Sequence, residues 1–216
     1  MVASVIAKRL HSMAIRLDVH PKNPQTRLLK QAAMGLKSGA LLVYPTDSGY
    51  ALGWDLDNRQ AQERVIRLRG LYFRHNFTVV CRTLSEIGSY ARMHDVAFRL
   101  IRSLTPGPYT FILPATANLP RRLHQTKKRS VGVRIPDHEV ALALVAELGE
   151  PLLSSSLILP NEDMSGWEVE DLYQRVANDV DFFLDSGFCG NEPTTVIDLL
   201  SDEPMVMRQG KGVISF

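Results

Sequence analysis

The stretch Leu41-Leu42-Val43-Tyr44-Pro45-Thr46-Asp47-Ser48-Gly49-Tyr50-Ala51-Leu52-Gly53 constrains this chain more than any other. It opens as a short apolar run rich in β-forming residues, the pattern of a buried strand. Pro45 has no N–H to give to a sheet, so the strand is expected to stop there. Thr46, Asp47 and Ser48 follow at once, two hydroxyls and a carboxylate on a turn. Gly49 and Gly53 then bracket a second strand-like piece, Tyr50 to Leu52, and glycine lets backbone pass close to a neighbour or a ligand. Two readings are open at this point. The cluster is either a set of binding groups at the end of a buried strand, where α/β proteins commonly place them, or a plain polar hairpin.

The remaining elements alternate around this stretch. Ala14 to Val19 reads as a first strand, and Asn23-Pro24 opens a helix with Asn at N-cap and Pro at N1, closed by Gly39. Asn58 caps a helix whose inward face is Ala61, Val65, Ile66 and Leu68. A strand Phe77 to Cys81, helices Leu84 to Tyr90 and Val96 to Leu104, a hard break at Pro106-Gly107-Pro108 and a strand Tyr109 to Leu113 follow. Val131 to Pro136 is a strand, Glu139 to Leu148 a helix ended by Gly149, and Leu152 to Leu157 a strand whose second half is Ser154-Ser155-Ser156. Glu168 to Ala177 is a short helix before three last strands, Asp181–Leu184, Thr195–Leu199 and Met205–Arg208. Several strands have only turns between them, and tight turns join only antiparallel neighbours, so the expectation is a single α/β domain with a mixed sheet. Residues 1–13, basic and without acids, read as a flexible extension, with the domain running from 14 to 216.

Bulk properties exclude several classes. A length of 216 residues suits one large domain or two small ones. No apolar run is long enough to span a bilayer, so no membrane partner is expected. A net charge of +2 names no partner, and any nucleic-acid interaction must rest on where the charge sits. Two cysteines make neither a disulfide framework nor a metal cluster. Cys81 reads as a small core residue and Cys189, in a Gly-flanked turn, as open to solvent; reduced thiols and a cytoplasmic setting are the default. There is no glycine-rich phosphate loop of either common pattern, no zinc spacing and no nucleophile elbow around Ser155, and His138 reads as a ligand-positioning group or a helix cap.

Three strand ends supply polar groups: Thr46/Asp47/Ser48, Arg134 with Asp137/His138, and Ser154/Ser155/Ser156. Arg134 lies between apolar neighbours on a strand, and a half-buried arginine needs an anionic partner. That partner is either a substrate carboxylate or phosphate, or an internal Asp47 or Asp137. Two stretches are rich in cations and free of acids: Arg64, Arg67, Arg69, Arg74 and Arg82 with His75 among them, and Arg121, Arg122, Lys127, Lys128 and Arg129. Each is a solvated face or part of one positive surface that attracts the phosphates of a nucleotide or an RNA.

The strings Tyr44-Pro45-Thr46-Asp47-Ser48-Gly49-Tyr50-Ala51-Leu52-Gly53, Pro106-Gly107-Pro108-Tyr109-Thr110-Phe111-Ile112-Leu113 and Val133-Arg134-Ile135-Pro136-Asp137-His138 resemble the YrdC family, as do Pro193-Thr194-Thr195-Val196-Ile197-Asp198 and Arg208-Gln209-Gly210. The resemblance runs from about Ala14 to the end and is nearest to the YciO branch. It implies a twisted mixed sheet with helices and a concave basic face. It also implies one of two activities: nucleotide and double-stranded RNA or tRNA binding, or synthesis of threonylcarbamoyl-adenylate from L-threonine, bicarbonate and ATP with Mg²⁺, a step in threonylcarbamoyl modification of tRNA. Carried onto this chain, Thr46, Asp47, Ser48, His75 and Arg134 would hold a threonine-like amino acid. Arg69, Ser154, Ser156 and Arg208 would hold the nucleotide, and Arg67, Arg74, Arg121, Arg122, Lys127, Lys128 and Arg129 would face RNA. Mg²⁺ would come with ATP rather than on protein ligands. Two motifs depart from the synthases. Their Lys-x-Arg is Arg69-Gly70-Leu71 here, and their Ser-x-Asn is Ser156-Leu157-Ile158.

Overall fold

Strand alternation sorts the apolar residues of this chain onto two faces of one sheet. The computed structural model describes residues 13–71, 75–123 and 129–214. Its strands are β1 (Ile15–Asp18), β2 (Leu42–Thr46), β3 (Gly49–Asp55), β4 (Thr78–Val80), β5 (Tyr109–Pro114), β6 (Ser130–Arg134), β7 (Leu152–Ser156), β8 (Phe182–Asp185), β9 (Thr195–Asp198) and β10 (Met205–Arg208). Among the described residues the α-helices are α1 (Thr26–Lys37), α2 (Arg59–Leu68), α3 (Leu84–Tyr90), α4 (Asp95–Leu104), α5 (Glu139–Leu148) and α6 (Val169–Val176). The strands form one sheet in the order β1-β8-β2-β3-β7-β4-β6-β5-β9-β10. Parallel pairs such as β4–β6 and β5–β9 stand beside antiparallel ones such as β2–β3, β3–β7 and β5–β6. The mixed α/β single-domain expectation holds.

On one face Leu42, Tyr44, Ala51, Val80, Leu152 and Leu184 pack with Leu29, Ala32, Ala33 and Leu36 of α1 and with Val140, Ala141, Leu144, Val145 and Leu148 of α5. Their chain neighbours Val43, Leu52, Val79, Leu153 and Phe183 point the other way, onto Ala61 and Val65 of α2 and Ala97 and Ile101 of α4. The two-residue period of a strand produces this division. Side chains close the helix starts: Asn58, Thr83, His94 and His138 each accept a backbone N–H of the first turn. His138, read as a ligand-positioning group or a cap, is a cap.

Several boundaries differ from expectation by one to three residues, and two of the differences have an identifiable cause. Helix α1 begins after Gln25, two residues beyond the Asn23-Pro24 signal. His20 Nδ1 accepts the N–H groups of both Lys22 and Asn23, and Gln25 Oε1 accepts that of His20, so the segment is tied into a turn before the helix can start. Strand β2 does not stop at Pro45 but runs to Thr46, with Pro45 opposite Tyr50. The Tyr50 carbonyl accepts from Leu157 N–H on its other side at 3.0 Å. Pro45 and Tyr50 are therefore a non-hydrogen-bonded pair, and the proline nitrogen faces away from β3. On that side β8 reaches only Leu42 and Val43, so no strand needs the missing N–H. The turn after β2 requires Gly49, whose φ is +106° and whose added Cβ would meet the Gly190 carbonyl oxygen at 2.9 Å. No helix among the described residues is long and apolar enough to cross a membrane.

Candidate ligand-binding site

The face of the sheet that carries α1 and α5 changes character along its strands. Ser154 lies opposite both Gly53 and Thr78, Thr78 beside Gly132, and Gly132 opposite Ile112, so one cross-strand row is made mostly of small residues. Ser156 lies opposite Ala51 in the next row of that face. All of these except Gly53, with Thr46, Ser48, Thr110, Val196 and Thr194, line a cavity of about 250 Å³. Arg69, His75, Arg134 and Arg208 complete the wall, and no aspartate or glutamate is among the lining residues. Thr46, Ser48, His75, Arg134, Arg69, Ser154, Ser156 and Arg208, spread over the sequence from 46 to 208, thus meet in one place.

Arg134 is the most deeply set cation. One of its terminal nitrogens donates to the Asp47 carboxylate and the other to Ser48 Oγ at 3.0 Å. Both side chains of the ion pair are 8% exposed. Asp47 lies just behind the lining, and its second oxygen accepts Asp137 N–H at 2.9 Å. Of the two carboxylates the sequence offered, Asp47 is the partner. Arg134 Nε is buried and has no hydrogen-bond partner, an uncompensated donor in a cavity wall.

Arg69 follows α2 and donates to Ser155 Oγ and to the Ile158 carbonyl at 3.3 Å. Burial holds its guanidinium below the ordinary arginine value. His75 is held below the ordinary histidine value by burial first and by Arg69 second, so it stands neutral near pH 7. Arg208 donates to the Thr194 carbonyl at 2.9 Å, and Thr194 Oγ1 lies 3.0 Å from Thr110 Oγ1. Two of the hydroxyls are occupied internally. Thr46 Oγ1 donates to the Gly49 carbonyl at 2.6 Å, and Ser154 Oγ donates to the Leu52 carbonyl at 3.0 Å while facing Tyr44 Oη at 2.7 Å. Those two hold the turn and the floor in shape, whereas Ser156 is exposed in the cavity.

A second cavity of about 480 Å³ adjoins the first and shares Ser48, Tyr50, Ser156 and Ile158 with it. Its remaining wall is largely apolar and comes from the segments around Met164–Leu172 and Phe188–Pro193. Sequence reasoning missed it. Trp167 and Phe188 stand in glycine-flanked loops, where an aromatic residue signals a contact surface, but no pattern joins the two loops. Cys189 is half-buried in this wall, and burial pushes its thiol up to about 12.

The departures from the synthase motifs occupy different places. Leu71 packs against the hydrophobic core and is not among the lining residues. Ile158 lines both cavities and is 50% exposed. The basic stretches do not form one continuous set of cations. Arg64 pairs with Asp181 at 2.6 Å and Arg82 with Glu86 at 2.8 Å. Arg122, expected to face RNA, turns onto the Leu56 carbonyl and the Asp57 carboxylate because these acceptors lie within its reach. Arg67, Arg121 and Arg129 are exposed. Arg74, Lys127, Lys128 and residues 1–12 of the expected extension lie outside the described residues.

Comparison with known proteins agrees with this architecture. The crystal structure of Escherichia coli YciO superposes with a TM-score of 0.88 at 46% identity, covering 93% of this chain and 98% of that one. A Haemophilus influenzae protein is 48% identical over 195 residues, 90% of this chain and 94% of its own. The threonylcarbamoyl-AMP synthase of Photobacterium profundum is 28% identical over 84% of this chain and 98% of its own. The crystal structure of P. abyssi Sua5 complexed with L-threonine shares the fold, with a TM-score of 0.79 at 24% identity over 91% of this chain and 58% of that one. The Sua5/YciO/YrdC family model, described as telomere recombination, matches residues 35–210. The chain belongs to the Sua5/YciO/YrdC family and is a relative of the threonylcarbamoyl-AMP synthases.

Proposed function

We propose that this protein binds a nucleotide and an α-amino acid together in the Arg134 cavity, with ATP and L-threonine as the pair that the names of its relatives suggest. One observation carries the reading: Arg69 and Arg208, neither in an ion pair among the described residues, share with Arg134 and a neutral His75 a single cavity whose lining holds no carboxylate. Such a wall favours a ligand with several negative charges. Arg134, a cation in the cavity lining, suits an amino-acid carboxylate held beside its pair with Asp47. Arg69, Arg208 and Ser156 suit phosphates. Mg²⁺ is expected to travel on the phosphates and water, because Asp47 is already taken by Arg134 and by Asp137 N–H.

The relatives named as threonylcarbamoyl-AMP synthases give this pair a chemistry. An oxygen of the N-carboxylated amino acid attacks the α-phosphorus of ATP, a P–O bond forms, and the bond to pyrophosphate breaks with the electron pair leaving on pyrophosphate. Arg69 and Arg208 would neutralise the charge that develops there. The apolar Ile158 at the junction of the cavities removes a hydrogen-bond donor that the synthase motif supplies, and such a loss costs on the order of 10² to 10³ in rate. We therefore place this chain as a binding protein with slow synthase turnover. Double-stranded RNA or tRNA is the proposed macromolecular partner, met by the exposed Arg67, Arg121 and Arg129.

Calorimetry with ATP and L-threonine, beside a pyrophosphate-release assay with bicarbonate and Mg²⁺, tests this reading. Binding with slow release in the wild type, and faster release in Ile158→Asn, is the expected result. Absence of ATP binding overturns it. For RNA, a steep fall of affinity with salt that flattens in Arg121→Glu is expected.

A further inference from the structure

The Arg134 cavity opens past Ser48, Tyr50, Ser156 and Ile158 into a larger space. Ser48, whose hydroxyl accepts from Arg134 at 3.0 Å, lines both cavities, and so does Tyr50. Tyr50 is itself fixed, donating from its hydroxyl to the Gly187 carbonyl at 2.8 Å. Beyond them the wall of the larger, about 480 Å³ cavity is Ile158, Met164, Trp167, Leu172 and Phe188. Its two carboxylates are engaged elsewhere: Glu162 with Arg175 at 2.7 Å and Asp163 with Ser165 N–H at 2.9 Å.

We infer that this second cavity is the side-chain subsite of the ligand, and that the substrate class is an α-amino acid with a large apolar or aromatic side chain. This rests on the proposed reading of the Arg134 cavity as an amino-acid and nucleotide site. The carboxylate meets Arg134, the backbone atoms pass Ser48 and Tyr50, and the side chain lies against Trp167, Leu172 and Phe188. The short polar side chain of threonine would leave that apolar wall in contact with water. Each buried methylene is worth about fourfold in affinity. L-leucine or L-phenylalanine is therefore expected to bind at least about tenfold more tightly than L-threonine.

Calorimetric titration of the full chain with L-phenylalanine, L-leucine and L-threonine, with and without ATP, tests the assignment. Phe188 is 75% exposed, so Phe188→Ala is safe for folding. It should weaken phenylalanine several-fold and leave threonine unchanged. Ile158→Trp narrows the junction and should weaken phenylalanine more than threonine. Phenethylamine, which lacks the carboxylate, should not bind; equal binding of the amine and the amino acid would separate the apolar cavity from Arg134 and overturn the assignment. Threonine binding as tightly as phenylalanine or leucine overturns the side-chain subsite while leaving the parent reading standing. Failure of every amino acid and of ATP overturns both.

Discussion

Two halves of one sheet face meet within two residues of each other and behave in opposite ways. Leu152 on β7 and Val80 on β4 lie under α5 and α1, in a core closed by Leu144 and Leu148. Ser154 and Thr78, two residues along the same strands and on the same face, open into the cavity. Strand geometry is common to both halves, so side-chain size and polarity decide the difference. Leucine and valine offer a helix an apolar surface to cover, whereas serine, threonine and glycine offer neither area nor dryness. Buried apolar area is concentrated in the first half, and polar groups in the second.

Substitutions can break or sharpen that contrast. The largest expected effect lies at the boundary itself. Arg134→Met leaves the Asp47 carboxylate buried without its cation, and the removal of one partner of a buried pair costs about 3–5 kcal/mol. Denaturant unfolding should show this, with partial recovery in the Arg134→Met/Asp47→Asn double variant. In the covered half, Leu144→Ala deletes a fully buried side chain and should cost about 2–5 kcal/mol, read as a lowered urea midpoint with nucleotide affinity per folded molecule unchanged. In the open half the pattern should reverse. Arg69→Ala should change the midpoint little, because the side chain is only half-buried, yet weaken ATP about tenfold or more through lost charge-assisted hydrogen bonds. An unchanged ATP affinity would remove Arg69 from the phosphate site.

The smallest effect is on pH. His75 and His138 are both held below the ordinary histidine value, in each case chiefly by burial. As pH falls through the ordinary range the unfolded chain takes up protons first, so the folded state loses stability toward acid and is most favoured with both rings neutral. For His75 alone, Arg69→Gln removes the second cause of the depression. Its pKa, followed by NMR titration, should move up toward the ordinary value, and no movement would place Arg69 too far away to act.

Much of the fold was legible because its signals are local. Helix α5 and strand β10 lie where periodicity and glycine punctuation put them, and Asn58 caps α2 through its own side chain. The boundary differences at Asn23 and Pro45 arose where local rules met other partners. Pro45 is tolerated because β8 pairs with β2 only as far as Val43, and Asn23 is overruled by His20 and Gln25. Among site residues, Thr46, Arg134 and the serine strand were visible as polar groups at strand ends. The apolar cavity was not, since it is made by two loops that share no sequence pattern.

The sequence by itself determined which residues carry charge and hydroxyls and which strands bear them, because alternation and turn chemistry act over a few residues. Tertiary structure decided which cations are used up. Arg64, Arg122 and Arg134 are paired with carboxylates brought near by folding, whereas Arg69 and Arg208 reach a cavity lining without acids and have no ion pair among the described residues. Charge pairing depends on distance through space, and strand order, which sets those distances, follows from how the two faces of the sheet are covered.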